Sequence, residues 1–232
     1  MGAVVVLAGG VPHAHDFLAI GDSIAELIRR DDRHADVVEV VDHPDHLVEL
    51  LANGTDVLVV DALFWRMVGD AYGPWRERWA YSPPEVTRDA ITEFVGNGGG
   101  LVALHTTAIC FDDWPEWGDI VGGSWRWGVS SHPPFGAVEA RVVADHPVIA
   151  GVGATFALHD EVYGDLFVRP EVDVLAVAKR TADDADQPVL WAHRYGRGRV
   201  VYNGFGHDVA SIEHPVNAQI LTQAINWVRG GA

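Results

Sequence analysis

Gly96-Asn97-Gly98-Gly99-Gly100-Leu101-Val102-Ala103-Leu104-His105-Thr106-Thr107-Ala108-Ile109-Cys110 combines a glycine turn, an apolar run and a polar stop near the middle of the chain. Three consecutive glycines permit a tight turn after a helix. Residues 101–104 then make a short apolar strand, and His105 stands where that strand must stop. In open α/β sheets, ligands bind beyond the carboxyl ends of parallel strands, where loops converge and the next helix presents free N–H groups. His105 and Thr106 fall at such an address. A structural histidine hydrogen-bonded to a neighbouring loop would have the same local sequence, so the decision passes to the rest of the chain.

Upstream, the apolar run 3–8 closed by Gly9-Gly10 reads as a buried parallel strand. The loop after it carries His13 and His15, and the spacing of Phe17, Leu18, Ile24, Leu27 and Ile28 predicts a helix over about 16–29. Residues 36–41 and 56–60 read as two more strands. Between them His43-Pro44-Asp45 starts a short helix that Asn53-Gly54 ends. His34, His43 and His46 lie in polar, turn-like surroundings and are assigned to solvated surface. From 61 to 84 the periodicity fails in a segment rich in Trp65, Tyr72, Trp75, Trp79 and Tyr81. Long irregular segments are usually functional or partner surfaces, and the alternative is that these rings close a satellite core. A helix from Ser82-Pro83-Pro84 then delivers the chain to the glycine turn.

Downstream lies a second irregular aromatic stretch with Trp114, Trp117, Trp125, Trp127 and His132. It is followed by β-rich segments at 136–144, 155–163, 173–179, 189–194 and 199–203. The turn Tyr195-Gly196-Arg197-Gly198 makes the last two antiparallel neighbours. Residues 215–229 predict an amphipathic closing helix.

Composition narrows the function. At 232 residues the chain is long enough for a substantial core, and we expect one domain spanning residues 1–232. No tract approaches the ~20 apolar residues of a membrane span, and the opening strand follows no basic leader, so a cytoplasmic protein is expected. A formal charge of -17 argues against nucleic acid or an anionic membrane as partner and favours neutral or cationic ligands. The single Cys110 excludes an internal disulfide and a cysteine-rich zinc site. Lying beyond the sharp turn, with no Gly-x-Ser-x-Gly nearby, it reads as a buried filler rather than a nucleophile. The dinucleotide fingerprint and the phosphate-binding loop are both absent, which disfavours nicotinamide and ATP. Twelve histidines and nine tryptophans exceed ordinary structural need. Imidazoles titrate near neutrality and ligate metals, while indoles offer flat faces suited to sugars.

The informative polar set is His15, His105, His132, His159-Asp160-Glu161 and His207-Asp208, each at a strand end, in a Gly- or Pro-marked loop, or beside a carboxylate. An extended 159–161 would put His159 and Glu161 on one side and Asp160 on the other. The glycines of Gly204-Phe205-Gly206 would let His207 approach the crevice of His105.

Four stretches together carry a family resemblance: Gly98-Gly99-Gly100 through His105; Val121-Gly122-Gly123-Ser124-Trp125 with His132-Pro133; His159-Asp160-Glu161-Val162-Tyr163; and Pro188-Val189-Leu190-Trp191 through Gly196-Arg197-Gly198 to Gly206-His207-Asp208. The chain resembles the bacterial trehalose-utilisation, or ThuA-like, family, whose fold is that of the class I glutamine amidotransferases. The resemblance implies an α/β, flavodoxin-like parallel sheet flanked by helices with an antiparallel extension, and a role in sugar catabolism. It also implies that His105 occupies the elbow where amidotransferases carry cysteine, so glutamine hydrolysis through a thioester is not expected.

The expectations are therefore these. The cleft holds His105, Asp160, Glu161 and His207 as acid/base groups, with Trp65, Thr106, Trp125 and Tyr163 contacting a sugar derivative. A divalent ion, zinc or manganese, would sit on His15, His105, His132 and His207. The function is general acid/base chemistry on a (3-keto-)glycoside or disaccharide derivative. The competing reading is a non-catalytic sugar-binding or regulatory module, or a subunit completed by a partner in the exposed 61–84 loop; a homo-oligomer is a separate expectation.

Overall fold

In a computed structural model, residues 2–31 and 37–230 are described, which leaves His34 outside the described residues. A nine-stranded sheet runs through the molecule in the order β2-β1-β3-β4-β11-β10-β9-β6-β7. Its parallel part is β1 (Ala3–Gly10), β2 (Val37–Val41), β3 (Val57–Leu63), β4 (Gly100–Leu104) and β11 (Gly198–Asn203). The remaining large strands are β6 (Gly136–Val142), β7 (Thr155–Asp160), β9 (Asp173–Ala178) and β10 (Gln187–Tyr195), and they extend the sheet antiparallel from β11 outward. A two-stranded ribbon, β5 (Gly123–Ser124) with β8 (Phe167–Val168), lies apart. This is the expected flavodoxin-like arrangement, and the extension is continuous with the parallel sheet.

Alternation along the parallel strands loads both faces. Val4, Val6, Val59, Val102 and Leu104 pack on one side with α1 (Phe17–Arg29) and α7 (Pro215–Val228). Val5, Leu7, Leu58, Leu101 and Ala103 pack on the other with α2 (Leu47–Ala52), α4 (Glu85–Gly96) and α5 (Pro115–Val121). Strands apolar on both faces are what a doubly covered sheet requires. Gly21 lets α1 lie close on β1, since a Cβ there would meet the Cβ of Ala8 at 2.7 Å. The last helices, α6 (Val209–Glu213) and α7, follow the loop that carries His207. Among the described residues no helix is long and apolar enough to cross a membrane.

The irregular segment 61–84 is partly regular after all. β3 continues to Leu63, and α3 (Gly73–Trp79) forms within the segment. Arg76 ties the arm together by donating to the carbonyls of Met67 and Gly69. Trp65 and Met67 are buried with Val11, Phe17 and Leu63, and Tyr72 and Trp79 pack against them. The satellite-core reading therefore holds for Trp65, because apolar side chains on an arm this long find their burial locally.

Candidate functional site

The chain reverses direction sharply at His105. Its φ of 42° is unusual for a residue with a Cβ and stores of order 1–3 kcal/mol that the surroundings must offset. They do so with buried hydrogen bonds. Tyr202 Oη donates to the His105 carbonyl at 2.9 Å, Thr106 Oγ1 to Ala62 O at 2.7 Å, and Thr107 Oγ1 to Val60 O at 2.8 Å. Thr106 thus pins the elbow to β3, and its hydroxyl is not free for a ligand as expected from the sequence. Cys110 belongs to the same anchorage: its thiol donates to Ala62 O, and burial pushes its pKa up to about 12, so it is an inert filler.

Three imidazoles meet above the elbow. His15, His105 and His207 each offer a ligand atom within 4.8 Å of the others, with ring centroids 4.5–5.5 Å apart. His15 arrives from the loop after β1, His105 from the end of β4, and His207 from the loop after β11. Parallel strands that end together therefore bring together residues far apart in sequence. Carbonyls set two tautomers. His105 Nδ1 lies 3.0 Å from Gly204 O and His15 Nδ1 lies 2.9 Å from His207 O. A carbonyl only accepts, so each Nδ1 carries the proton and each Nε2 keeps its lone pair. Burial keeps both rings neutral: it lowers the pKa of His15, and of His105 to about 3. The Tyr163 hydroxyl lies 3.3 Å from His105 Nε2.

Glu161 organises the open side. Its Oε1 is 3.3 Å from His132 Nδ1, and its Oε2 is 3.6 Å from His207 Nδ1 and 3.7 Å from His105 Nε2. Burial opposes its charge, but the imidazoles around it outweigh that and hold its carboxyl below the usual range. In return the Glu161 carboxylate raises His132, while for His207 it overcomes a burial cost in the opposite direction. His132, with 39% of its side chain exposed, stands at the mouth. Trp125 lines the same wall, 5.3 Å from the Tyr163 ring and 6.1 Å from His132.

Four further expectations change. Strand alternation does not reach Glu161, because β7 ends at Asp160. The chain turns there, so Asp160 and Glu161 both face His105, and His159 is exposed. Asp160 is not placed as a proton-transfer group: its Oδ1 accepts the N–H of Glu161, and its Oδ2 accepts the N–H of Gly206 and the hydroxyl of Ser211. It positions the loop that carries His207. His132 lies outside the three-imidazole group and pairs with Glu161 instead. Trp65 is in the satellite core and does not form the cleft wall.

One buried group escaped the sequence reading. Asp61, on β3, is fully buried and neither of its carboxylate oxygens has a hydrogen-bond partner. A Cβ on Gly206 would stand 3.0 Å from its Oδ2 and 3.5 Å from His105 Cβ, so Asp61 lies beneath the site. Burial, reinforced by Asp160, raises its carboxyl well above the usual range. The available signal was a lone carboxylate inside an apolar strand.

The model of the ThuA family, described as trehalose utilisation, matches residues 4–228. The chain belongs to the ThuA family. A ThuA-like protein from Parabacteroides merdae superposes with a TM-score of 0.77 at 17% identity, covering 98% of this chain and 90% of that one. A second, from Bacteroides uniformis, gives 0.73 at 18%, covering 98% and 91%. A protein from Thermoplasma acidophilum described as part of a GMP synthase gives 0.58 at 12%, covering 97% and 93%. These likenesses establish the fold. No curated protein sequence matches the chain.

The donors of this ThuA chain suit a borderline divalent ion. Neutral imidazoles with Nδ1–H given to backbone carbonyls are the usual metal-ready arrangement, and His207 Nδ1 is buried without a hydrogen-bond partner. Tetrahedral zinc with bonds of about 2.0–2.1 Å holds its nitrogens about 3.4 Å apart. The trio, whose ligand atoms lie within 4.8 Å of one another, would therefore have to draw in by up to about 1.4 Å.

Proposed function

We propose that this ThuA chain is a sugar-catabolism enzyme that cleaves a 3-keto disaccharide or related keto-glycoside by general acid/base chemistry. What carries the reading is Glu161, whose carboxylate lies within 3.3–3.7 Å of His132, His207 and His105 at the carboxyl ends of the parallel strands. The trehalose-utilisation description of the family supports the substrate class, and Trp125 and Tyr163 supply aromatic surface beside the imidazoles.

The roles follow from burial and charge. His105 is neutral and enclosed, so it serves as a fixed donor of a lone pair and not as the proton carrier expected from the sequence. His15, His105 and His207 would hold a divalent ion such as zinc or manganese, which would supply Lewis-acid polarisation of the keto oxygen. His132 stands exposed at the mouth, and Glu161 raises its pKa above the ordinary imidazole value, which makes it the acid/base group of the site. Glu161 holds its Nδ1, and Nε2 is left for the substrate.

A 3-keto group acidifies the neighbouring C–H. Neutral His132 takes that proton, and the electron pair forms a carbon–carbon double bond as the glycosidic C–O bond breaks. The departing oxygen keeps that bond's electrons and accepts a proton from the imidazolium, which leaves an unsaturated keto-sugar and a free hexose. No external oxidant is consumed. We further propose a cytoplasmic protein with no nucleic acid or anionic membrane as partner, which the formal charge of -17 supports for the partners.

The test is incubation with 3-keto-trehalose and measurement of free glucose. Glu161→Gln and His132→Gln are expected to cut turnover by about 10²–10⁴, the usual worth of a placed acid/base group. Binding without product in the wild type would favour the sugar-binding module. Product undiminished in both variants would refute these roles.

A further inference from the structure

The sheet order places a topological switch point between β1 and β3, since the chain leaves β1 for β2 on one side and builds outward from β3 on the other. Open α/β sheets bind ligands beyond the strand ends at that point. Here a cavity of about 660 Å³ lies there, within the range of about 300–1,000 Å³ common for small-molecule sites. His15 borders both this cavity and the imidazole group, so the two spaces adjoin.

The walls state what the cavity accepts. Gly9 and Asp42 both border it, and there the two backbones pack closely, since a Cβ on Gly9 would lie 1.9 Å from the carbonyl oxygen of Asp42. The N-terminus of α1, the usual anchor for phosphate in this kind of fold, is already capped by Asp16, whose Oδ1 accepts the N–H of Ala19 at 3.2 Å. An anion there would meet the Asp16 carboxylate, with Asp42 also in the lining. Among the described residues the lining has one guanidinium, that of Arg78, which lies over its neighbour Trp79 at 5.0 Å. Flat faces come from Phe64, Trp79 and Tyr81. Carboxylates that accept from hydroxyls, beside aromatic faces, suit an uncharged polyhydroxylated ring.

We infer that this cavity is the subsite for the second ring of the ligand, an uncharged sugar ring one glycosidic bond from the ring held at the imidazoles, with His15 between them. The inference rests on the keto-glycoside reading of the imidazole site. It makes the ThuA chain selective for two-ring ligands, with affinity supplied away from the reacting bond.

Binding of trehalose, of methyl glucoside and of inorganic phosphate is measured by calorimetry on the wild type and on Leu18→Trp. Leu18 sits at the cavity rim on α1 and is 63% exposed, so the larger ring obstructs the opening without disturbing the core. Trp79→Ala is the second variant, with thermal melting as the check on folding. Leu18→Trp is expected to weaken trehalose at least tenfold and to leave methyl glucoside unchanged, and Trp79→Ala to act in the same direction. Equal weakening of both sugars, or no effect on trehalose, overturns the subsite while leaving the imidazole site standing. No sugar binding by the wild type refutes the underlying reading and the subsite with it. Phosphate binding that Leu18→Trp abolishes overturns the uncharged assignment.

Discussion

Zinc binding by the imidazole trio can be worked out in advance. Structural zinc sites with four protein ligands release about 10–16 kcal/mol at neutral pH, or about 3 kcal/mol per ligand. Removing one ligand of three should therefore weaken binding about a hundredfold, at 1.4 kcal/mol per factor of ten. His207→Ala is the clean perturbation, because His207 is partly exposed at the mouth whereas His105 is enclosed and holds the elbow. At zinc equal to about 100 times the wild-type Kd, the wild type gains about 2.7 kcal/mol of stability, and the variant about 0.4 kcal/mol. For a chain of this size each kcal/mol moves Tm by about 2–4 °C. The wild type should then rise by about 5–10 °C, and His207→Ala by about 1 °C. Scanning calorimetry with and without zinc, on untagged protein stripped with chelator, makes the measurement. His159→Ala, an exposed histidine outside the group, should retain the full wild-type shift. Equal shifts in wild type and His207→Ala, or no wild-type shift at millimolar zinc, would refute the metal reading.

Three further outcomes are expected. Asp61→Asn should cost less than about 1 kcal/mol at pH 5 and become favourable as pH rises. A carboxyl raised above its ordinary value gives its full contribution below that value and loses it as pH climbs toward the folded pKa, and asparagine does not titrate. Urea unfolding at pH 5 and pH 8 checks this, and a pH-independent difference would mean that Asp61 is ionised in the fold. Tyr202→Phe should destabilise by about 1–2 kcal/mol, because it strands the buried carbonyl of the elbow; an unchanged denaturant midpoint would show that the elbow holds without it. The His132–Glu161 pair should stabilise fully between about pH 4.5 and 6.5. The raised imidazole loses its share above that window and the depressed carboxyl loses its share below it. Since His132 is 39% exposed, the effect should not exceed about 1 kcal/mol. The Tm deficit of His132→Gln in chelator should be larger at pH 5.5 than at pH 8.5, and a constant deficit would contradict the pairing.

The features legible in the sequence were local and periodic. Runs such as 101–104 and 57–60 are apolar on both faces, which only a covered parallel sheet can bury. The turn at 195–198 joined two strands that could pair only antiparallel, and the glycines before β4 and around His207 marked where the backbone had to bend. These features depend on neighbours a few residues away, and so did the placing of His15, His105 and His207 at strand ends.

Tertiary structure decided which groups point at one another. Asp160 and Glu161 are adjacent in sequence, yet the end of β7 turns one toward backbone donors and the other toward imidazoles. Thr106 looked available until β3 came alongside and took its hydroxyl. Trp65 found the satellite core and Trp125 the cleft, although both lie in irregular aromatic stretches. Asp61 gained its place beneath the site only because β3 lies beside β4 and the Gly206 loop closes over both. A side chain's partner and its charge state depend on distances between segments far apart in the chain, and those distances exist only after the sheet has assembled.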